Sequence, residues 1–338
     1  MKKFSDIVLK CNAIKYLNNI NEKSVLVYSP TSANKINLFK NVNNDKIDFL
    51  STDITKKDVE KAEEYLNNNT EIENVIGFGG GTAIDVAKYM GNKINKRIIA
   101  IPSMLSTNVY STDKVLMSTN GVRNTLDSRL PDIIIYDEEI LKLSTTENLF
   151  GFADVLTIYT ASTDWKNSSE KGFDPMNNQI YKMDIDLLNN TTQYILNTPY
   201  KEIINGLYPM FNFIGMVGHI TNLYGSGRPV SGSEHIFAKS LDLKTVVPHG
   251  IAVAIGILIM SLFQNNYSTD IEGCFAKLKI FNYTEKYNVT QKLIKETLFN
   301  LQPRVGRYTI VDSFNPKDKI INEKIDKILN KYNIDMGW

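Results

Sequence analysis

Two histidines and one aspartate are the side chains of this sequence best suited to hold a divalent metal ion. The chain has only three histidines in 338 residues, and His235 and His249 lie fourteen residues apart among small and turn residues. Asp154, in the stretch GFADVLTIYTASTDW, is the candidate third ligand. One carboxylate and two neutral imidazoles suit Zn²⁺ or Fe²⁺ and leave a coordination position for substrate. The alternative is that two helix-end histidines and an N-cap aspartate are purely structural, and spacing alone does not decide between the two.

A glycine-rich turn in the first half of the chain is suited to bind a diphosphate. In NVIGFGGGTAIDVAKYMG an apolar run ends in Gly79, Gly80 and Gly81, and a helical pattern follows directly. Glycine lets the backbone approach a phosphate closely, and a helix N-terminus offers free N–H groups and a positive dipole end. A tight turn without a ligand is the alternative, but three consecutive glycines favour the diphosphate. The spacing is not the GxGxxG fingerprint of the ordinary Rossmann fold.

A dinucleotide bound at such a turn would need a second anchor at its adenosine ribose. An acidic residue after the relevant strand would select NAD, because its carboxylate hydrogen-bonds the ribose hydroxyls. Here the run VLVYSP brings Ser29 and then Thr31 to that place, and both are neutral. The sequence therefore admits NADP(H) as well as NAD(H).

Composition excludes several classes of function. The formal net charge is +1, from 38 basic and 37 acidic residues, which argues against electrostatic binding to nucleic acid or an anionic membrane. Cys11 and Cys274 are far apart in the sequence and form no CxxC motif, so we expect two reduced thiols. The longest apolar stretch, residues 250–263, is too short to span a bilayer and predicts a buried helix. We expect a cytoplasmic protein.

The pattern of apolar residues predicts two domains. Up to about residue 103, short apolar runs alternate with helical segments, which is typical of a parallel sheet with right-handed crossovers. KVLMSTNGVRNTL then predicts a hairpin with Asn120 and Gly121 at its turn, and LPDIIIYDEEIL a further buried strand. Long helical segments fill the rest. We predict an N-terminal α/β dinucleotide-binding domain over residues 1–147 and an all-α metal-binding domain over residues 148–338.

Five motifs, in this order, resemble those of the metal-dependent polyol dehydrogenases: GGGTAIDVAK, IPSMLSTN, GFADVLTIYTASTDW, SGRPVSGSEH and PHG. This superfamily includes glycerol dehydrogenases, iron-containing alcohol dehydrogenases and, as a cousin, dehydroquinate synthase. The motifs are most similar to those of the glycerol-1-phosphate dehydrogenases and cover residues 75–250. The resemblance implies a dehydroquinate synthase-like fold, in which an α/β coenzyme domain and a helical metal domain enclose the catalytic cleft.

The resemblance also implies roles for individual residues. Asp154, His235 and His249 match the metal ligands, with zinc as the expected ion and iron or nickel as alternatives. NAD(P)(H) would be bound by the diphosphate loop and by the segments beside the nicotinamide, through Gly79, Gly80, Gly81, Thr82, Ala83, Ile84, Ser103, Met104, Leu105, Ser106 and Thr112.

Two departures from the family pattern fall in the substrate site. Asn108 stands where the family carries a substrate-contacting aspartate, and it can still hydrogen-bond a hydroxyl. Lys239 stands where the phosphate-handling enzymes carry a second histidine, and its ammonium can meet a phosphate as a point charge. The catalytic candidates are therefore Asp154, Asn108 and Lys239, and the candidates for binding a substrate phosphate are Arg228, Ser231 and Lys239. Arg228 could equally pair with a carboxylate at the domain interface.

These residues predict an NAD(P)-dependent, metal-containing dehydrogenase that acts on CH–OH groups. The expected reaction interconverts dihydroxyacetone phosphate and sn-glycerol 1-phosphate, or a related small phosphopolyol, as a step of phospholipid biosynthesis. We expect a homo-oligomer without a nucleic-acid or membrane partner. Two alternatives stay open: an alcohol or glycerol dehydrogenase with an unphosphorylated substrate, and a dehydroquinate synthase-like lyase or cyclase. The second is disfavoured because Tyr110 occupies an aspartate position of that enzyme.

Overall fold

The structure is a computed structural model, and it describes residues 5–8, 12–42, 44–119 and 122–334. Internal contacts divide the chain into two units, one ending at Asn148 and the other beginning at Leu149. The predicted turn residues Asn120 and Gly121, and the cysteine Cys11, lie outside the described residues.

The first unit contains a six-stranded sheet, a separate hairpin and five helices. Its strands are β1 (Asp6–Val8), β2 (Ser24–Tyr28), β3 (Ile47–Ser51), β4 (Asn74–Gly79), β5 (Arg97–Pro102), β6 (Lys114–Thr119), β7 (Val122–Asp127) and β8 (Ile133–Ile135). Its helices are α1 (Ala13–Asn18), α2 (Ala33–Ile36), α3 (Lys56–Asn68), α4 (Gly81–Lys93) and α5 (Glu138–Lys142). The sheet has the order β1-β8-β5-β4-β2-β3, and all its pairs are parallel. The hairpin predicted from the sequence is the antiparallel pair β6–β7.

Apolar runs form the interior strands because both faces of the sheet are covered. All six residues of β4 are buried. Alternate side chains point to opposite faces, so Val25 and Val75 pack in one core with residues of α3 and α4. Leu26 and Ile76 pack in a second core with residues of α1. The carboxyl ends of β4 and β5 are adjacent, with Gly79 in register with Pro102.

The end of the first unit differs from the prediction of one long strand over residues 130–141. The structure has only the short strand β8, followed by α5. The cause is Asp137, whose carboxylate accepts hydrogen bonds from the N–H groups of Glu139 and Ile140 and thereby caps α5. Asp137 also accepts from the Ala13 N–H at 2.8 Å, which fixes the start of α1. The short strand β1, paired with β8, was not predicted either.

All regular secondary-structure elements in the described part of the second unit are helices. Its helices are α6 (Thr145–Leu156, which begins before the boundary), α7 (Ile158–Glu170), α8 (Asn178–Asn197), α9 (Tyr200–Asn205), α10 (Leu207–Tyr224), α11 (Ser233–Asp242), α12 (His249–Phe263), α13 (Thr269–Leu278), α14 (Gln291–Phe299) and α15 (Lys319–Lys331). The sequence predicts one continuous helix over residues 202–225, but Gly206 separates α9 from α10.

Helix α12 lies at the centre of the second unit. Every residue from Gly250 to Ser261 is buried, as expected for a helix that is apolar on all sides. Among the described residues, no helix combines the length and the apolarity needed to cross a bilayer. The apolar stretch noted in the sequence is therefore accounted for by the core of this unit.

Candidate metal and coenzyme sites

The glycine turn of the first unit joins β4 to α4. Gly79 ends β4 with a φ of +147°, a backbone conformation that favours glycine. A Cβ atom there would also lie 2.5 Å from the Ser32 hydroxyl oxygen. Gly80 is the N-cap of α4 and offers no side chain to its first N–H groups. Helix N-termini of this kind bind anions, because the exposed N–H groups and the dipole both favour negative charge.

The segment after β5 lies against this turn. The Ser103 N–H donates to the Gly79 carbonyl at 2.8 Å, and the Met104 sulfur lies 3.2 Å from where a Cβ of Gly80 would be. The Leu105 N–H donates to the Asn148 side chain at 2.7 Å, which holds the segment in place. The Ser103 hydroxyl is buried without a hydrogen-bond partner in the described part of the chain. Ser103 and Met104 thus lie against the glycine turn in the first unit.

A buried ion pair, missed by the sequence reading, supports the neighbouring segment. Lys88 is fully buried, and its ammonium donates to the carbonyls of Val109 at 3.0 Å and Lys114 at 2.5 Å. The Asp85 carboxylate lies 3.8 Å away, one helical turn earlier on α4. Burial lowers the pKa of Lys88 and raises the pKa of Asp85, and each charge opposes the shift of the other. The pair fixes the stretch that contains Thr112, a predicted coenzyme contact.

The three predicted metal ligands converge in the second unit. Asp154 lies near the end of α6, His235 in the first turn of α11, and His249 at the first position of α12. One ligand atom of each residue lies within 4.8 Å of the other two. His249 Nε2 is 3.3 Å from Asp154 Oδ1, and the two imidazole centroids are 5.3 Å apart. Asp154 is therefore not an N-cap residue, in contrast to the structural alternative considered from sequence.

The donor atoms of this cluster fit a divalent cation. Asp154 Oδ1 is buried and makes no hydrogen bond of acceptable geometry in the described structure. An unsatisfied buried carboxylate oxygen is costly, and a metal ion is one partner that would satisfy it. Burial by itself lowers the pKa of His249, but the Asp154 and Asp242 carboxylates together raise it above its ordinary value. The three residues supply the Asp/His/His set expected from the sequence.

Glu234 orients His235. The His235 Nδ1 atom lies 2.8 Å from Glu234 Oε1, while Glu234 Oε2 accepts from the Thr160 hydroxyl at 2.7 Å and Oε1 from the Gly232 N–H at 2.6 Å. A proton on Nδ1 leaves the Nε2 lone pair free for a metal ion. Sequence reasoning did not assign a role to Glu234, although a glutamate directly before a candidate ligand was a usable signal.

Glycines allow the three ligand-bearing helices to approach closely. A Cβ atom at Gly250 would lie 2.1 Å from the Phe150 carbonyl oxygen, and one at Gly256 would lie 2.7 Å from the Glu234 carbonyl oxygen. Helix α12 therefore packs backbone to backbone against α6 and α11. This contact sets the distance between His249 and the other two ligands.

Arg228 is buried and contacts three other residues of the second unit. Its side chain is 2% exposed, its Nε lies 3.3 Å from Asp174 Oδ2, and its Nη2 donates to the carbonyls of Asp164 and Tyr308. This arrangement favours the carboxylate-pairing alternative over binding of a substrate phosphate. The carboxylate, like Arg228, belongs to the second unit.

The other two phosphate candidates lie on and before α11. Ser231 is half-buried, and its carbonyl accepts from Arg307 Nη1 at 3.1 Å. Lys239 is exposed and lies four residues after His235, so the two side chains share one face of the helix. Asp164 joins this region to a later segment, because Oδ2 accepts from the Ser233 N–H and Oδ1 from the Ile310 N–H.

Comparisons with known proteins agree with this architecture. Residues 16–144 match the family model described as iron-containing alcohol dehydrogenase. The chain is 29% identical to a glycerol-1-phosphate dehydrogenase [NAD(P)+] of Methanococcus aeolicus, with 97% of this chain and 98% of that protein aligned. It is 26% identical to the protein of that name from Methanosarcina barkeri, with coverages of 83% and 80%.

Solved structures share the fold. A probable glycerol dehydrogenase from Sinorhizobium meliloti superposes with a TM-score of 0.67 at 14% identity, over 97% of each chain. A sulfoacetaldehyde reductase from Bifidobacterium kashiwanohense, solved with NAD⁺, gives 0.64 at 14% identity over 96% of each chain. The chain is thus similar to the iron-containing alcohol dehydrogenase family over residues 16–144 and to glycerol-1-phosphate dehydrogenases over nearly its whole length. The predicted superfamily and the predicted fold class are both confirmed.

Proposed function

We propose that this protein is a metal-dependent, NAD(P)-linked dehydrogenase that interconverts dihydroxyacetone phosphate and sn-glycerol 1-phosphate. The observation that carries the proposal is the convergence of Asp154, His235 and His249, with an unsatisfied carboxylate oxygen among them. The relatives named glycerol-1-phosphate dehydrogenase [NAD(P)+] align over most of the chain and support the choice of substrate and coenzyme.

One divalent ion would be held by Asp154, His235 and His249. Zinc suits one carboxylate and two imidazoles, and iron or nickel are the alternatives. When bound, the ion acts as a Lewis acid that polarises the substrate carbonyl and stabilises negative charge on its oxygen. Glu234 keeps the proton on His235 Nδ1, so that the other ring nitrogen points its lone pair at the ion.

The coenzyme would be held by the first unit. The N–H groups at the start of α4, from Gly81 to Ile84, would bind the diphosphate, and Ser103–Ser106 with Thr112 would lie beside the nicotinamide. The unpartnered Ser103 hydroxyl is available to hydrogen-bond it. At the end of β2, the Ser29 hydroxyl lies 2.9 Å from that of Thr31 and 3.1 Å from that of Ser32. This neutral cluster lacks the carboxylate that repels a 2′-phosphate, so both coenzymes would bind.

Asn108 is the proposed contact to a substrate hydroxyl. It is half-buried and lies just beyond the Ser103–Ser106 segment, where its carbonyl accepts from the Ser111 N–H at 2.9 Å. Its amide can donate to one hydroxyl oxygen and accept from another. The expected homo-oligomer and cytoplasmic location stay predictions.

The test is turnover by the purified protein with defined metals. We expect dihydroxyacetone phosphate to oxidise NADH or NADPH stoichiometrically after zinc, iron or nickel is restored to chelated protein. A dehydroquinate synthase-like lyase or cyclase would cause no net change in reduced coenzyme. His249→Gln should abolish stoichiometric metal binding, whereas His219→Gln, at the histidine outside the cluster, should bind metal as the wild type does. Wild-type protein that binds no metal and oxidises neither coenzyme would refute the proposal.

A further inference from the structure

Three polar residues of α7 and its N-cap bind residues 230–234, the stretch of chain that leads into α11. Thr157, Thr160 and Asp164 are three and four residues apart, a spacing that places them along one side of a helix. All three are fully buried. We call them the polar stripe. They belong to the motif GFADVLTIYTASTDW, of which the proposed metal site uses only Asp154.

The two threonines of the polar stripe hold this stretch at both of its ends. The Thr157 hydroxyl donates to the Val230 carbonyl at 2.7 Å. The Thr160 hydroxyl donates to Glu234 Oε2 at 2.7 Å, and the other oxygen of the same carboxylate contacts His235. The stretch is therefore held against α7 directly before the imidazole of His235.

Asp164 caps α11 from α7. The N-cap position of α11 is Gly232, which has no side chain to bind the first N–H groups of the helix. Instead, Asp164 Oδ2 accepts from the N–H of Ser233, the first residue of the helix, at 2.7 Å. The other oxygen of the carboxylate accepts from the Ile310 N–H at 2.8 Å. The helix dipole also favours a carboxylate at this end. The side chain thereby fixes the start of α11, two residues before His235.

Gly232 allows this close contact. A Cβ atom there would lie 2.6 Å from Asp164 Oδ2, 2.9 Å from the Ala161 Cα and 3.0 Å from Glu234 Oε2, so the two buried carboxylates are close neighbours. Burial and repulsion by Glu234 raise the pKa of Asp164 to about 6. An asparagine would avoid this repulsion, but it has only one acceptor oxygen, whereas both oxygens are used here. The contact therefore depends on a carboxylate.

We propose that Asp164 is a positioning residue that places His235 for metal binding. This inference rests on the proposed function, because it concerns the metal ion of the proposed dehydrogenase. His235 lies on α11, whereas Asp154 lies on α6 and His249 on α12. A shift of the start of α11 therefore changes the distance of one imidazole from the other two ligands and does not move the cluster as a whole. The hydrogen bond from Ser233 to Asp164 is the contact that opposes this shift.

The experiment measures zinc binding against a competing chelator. Asp164→Asn is the main variant, because it keeps the volume and leaves one of the two N–H groups without an acceptor. We expect its zinc affinity to fall about tenfold, and the visible absorption of its cobalt-substituted form to change because the ligand geometry changes. Asn177→Ala is the matched control. Asn177 also accepts from two N–H groups, those of Gln179 and Ile180, at the start of a helix of the second unit. Its loss should lower the unfolding midpoint but keep the zinc affinity and the cobalt spectrum, since α8 carries no proposed ligand.

A second variant tests the same contact from the other side. Gly232→Ala adds a Cβ atom that displaces the Asp164 carboxylate from the start of α11, and it should also weaken zinc binding. These measurements need no turnover, so a wild type that binds zinc but oxidises neither coenzyme would refute the proposed function and still leave this inference tested. Wild-type zinc affinity in both variants, or an equal loss of affinity in Asn177→Ala, would overturn the inference. A wild type that binds no zinc would overturn both.

Discussion

The imidazole of His235 and the carboxylate of Glu234 are adjacent in sequence and lie 2.8 Å apart, with the carboxylate fully buried. The pair places a negative charge behind a proposed metal ligand and fixes which ring nitrogen is protonated. Thr160 and the Gly232 N–H hold the same carboxylate from two other directions. The orientation of His235 is thus determined by buried hydrogen bonds and not by the metal ion alone.

Replacing Glu234 tests this arrangement. Glu234→Gln keeps the volume and removes the charge, so His235 loses basicity as a ligand. We expect metal affinity to fall by about 10- to 100-fold, the usual effect of losing such a partner. Titration with zinc and a competing chelator measures it. An unchanged affinity, with an unchanged circular dichroism spectrum, would show that Glu234 has no part in holding the metal.

Asp184 on α8 predicts an unusual dependence of stability on pH. The carboxylate is fully buried with no hydrogen-bond partner for either oxygen in the described structure, and this burial raises its pKa to about 8. The folded state therefore holds a proton that the unfolded state releases near pH 4. The free energy of unfolding therefore decreases as the pH rises from about 4 to about 8, because only the folded state keeps Asp184 protonated in this range. The slope is up to roughly 1.4 kcal/mol per pH unit.

The measurement is urea denaturation at several pH values in wild type and Asp184→Asn. The asparagine variant cannot ionise, so its free energy of unfolding should lose this slope and exceed that of the wild type at high pH. Parallel pH profiles for the two proteins would show that Asp184 does not titrate in this range.

Lys88 should be essential for the stability of the first unit. Lys88→Met leaves the carbonyls of Val109 and Lys114 without this donor and the buried Asp85 without a counter-charge. Breaking a buried pair in this way costs about 3–5 kcal/mol. Adding Asp85→Asn should recover part of the loss, because the unpaired charge is then removed. If Lys88→Met alone unfolded at the same urea concentration as the wild type, the stabilising role assigned to the Lys88 ammonium would be contradicted.

The hydroxyl cluster after β2 sets an expectation for coenzyme preference. NADPH and NADH should bind the wild type within about tenfold of each other, a gap of roughly 1.4 kcal/mol. Thr31→Asp introduces a carboxylate at an exposed position and should weaken NADPH selectively, while Thr31→Ser keeps the hydroxyl and serves as control. Fluorescence titration of both coenzymes measures the effect. A wild-type gap of several hundredfold would be inconsistent with a neutral ribose site.

Sequence reasoning found the residues whose local surroundings are unusual. Gly79–Gly81 stand out because three glycines close a strand, and His235 and His249 stand out because histidine is rare in this chain. The contacts of Arg228 could be recognised only from its burial beside Asp174 in the structure. The length of strand β8 was overestimated from the sequence. The reason is that Asp137 caps a helix at this point, so the chain leaves the sheet although apolar residues continue beyond it.

His249 begins the most buried helix of its unit, and Gly250 places that helix against the backbone of α6. Release of the metal ion and unfolding of the helical unit should therefore be linked equilibria. A ligand that binds only the native state increases the free energy of unfolding by RT ln(1 + [L]/Kd). The denaturation temperature of the protein should rise with free zinc concentration even when no substrate or coenzyme is present.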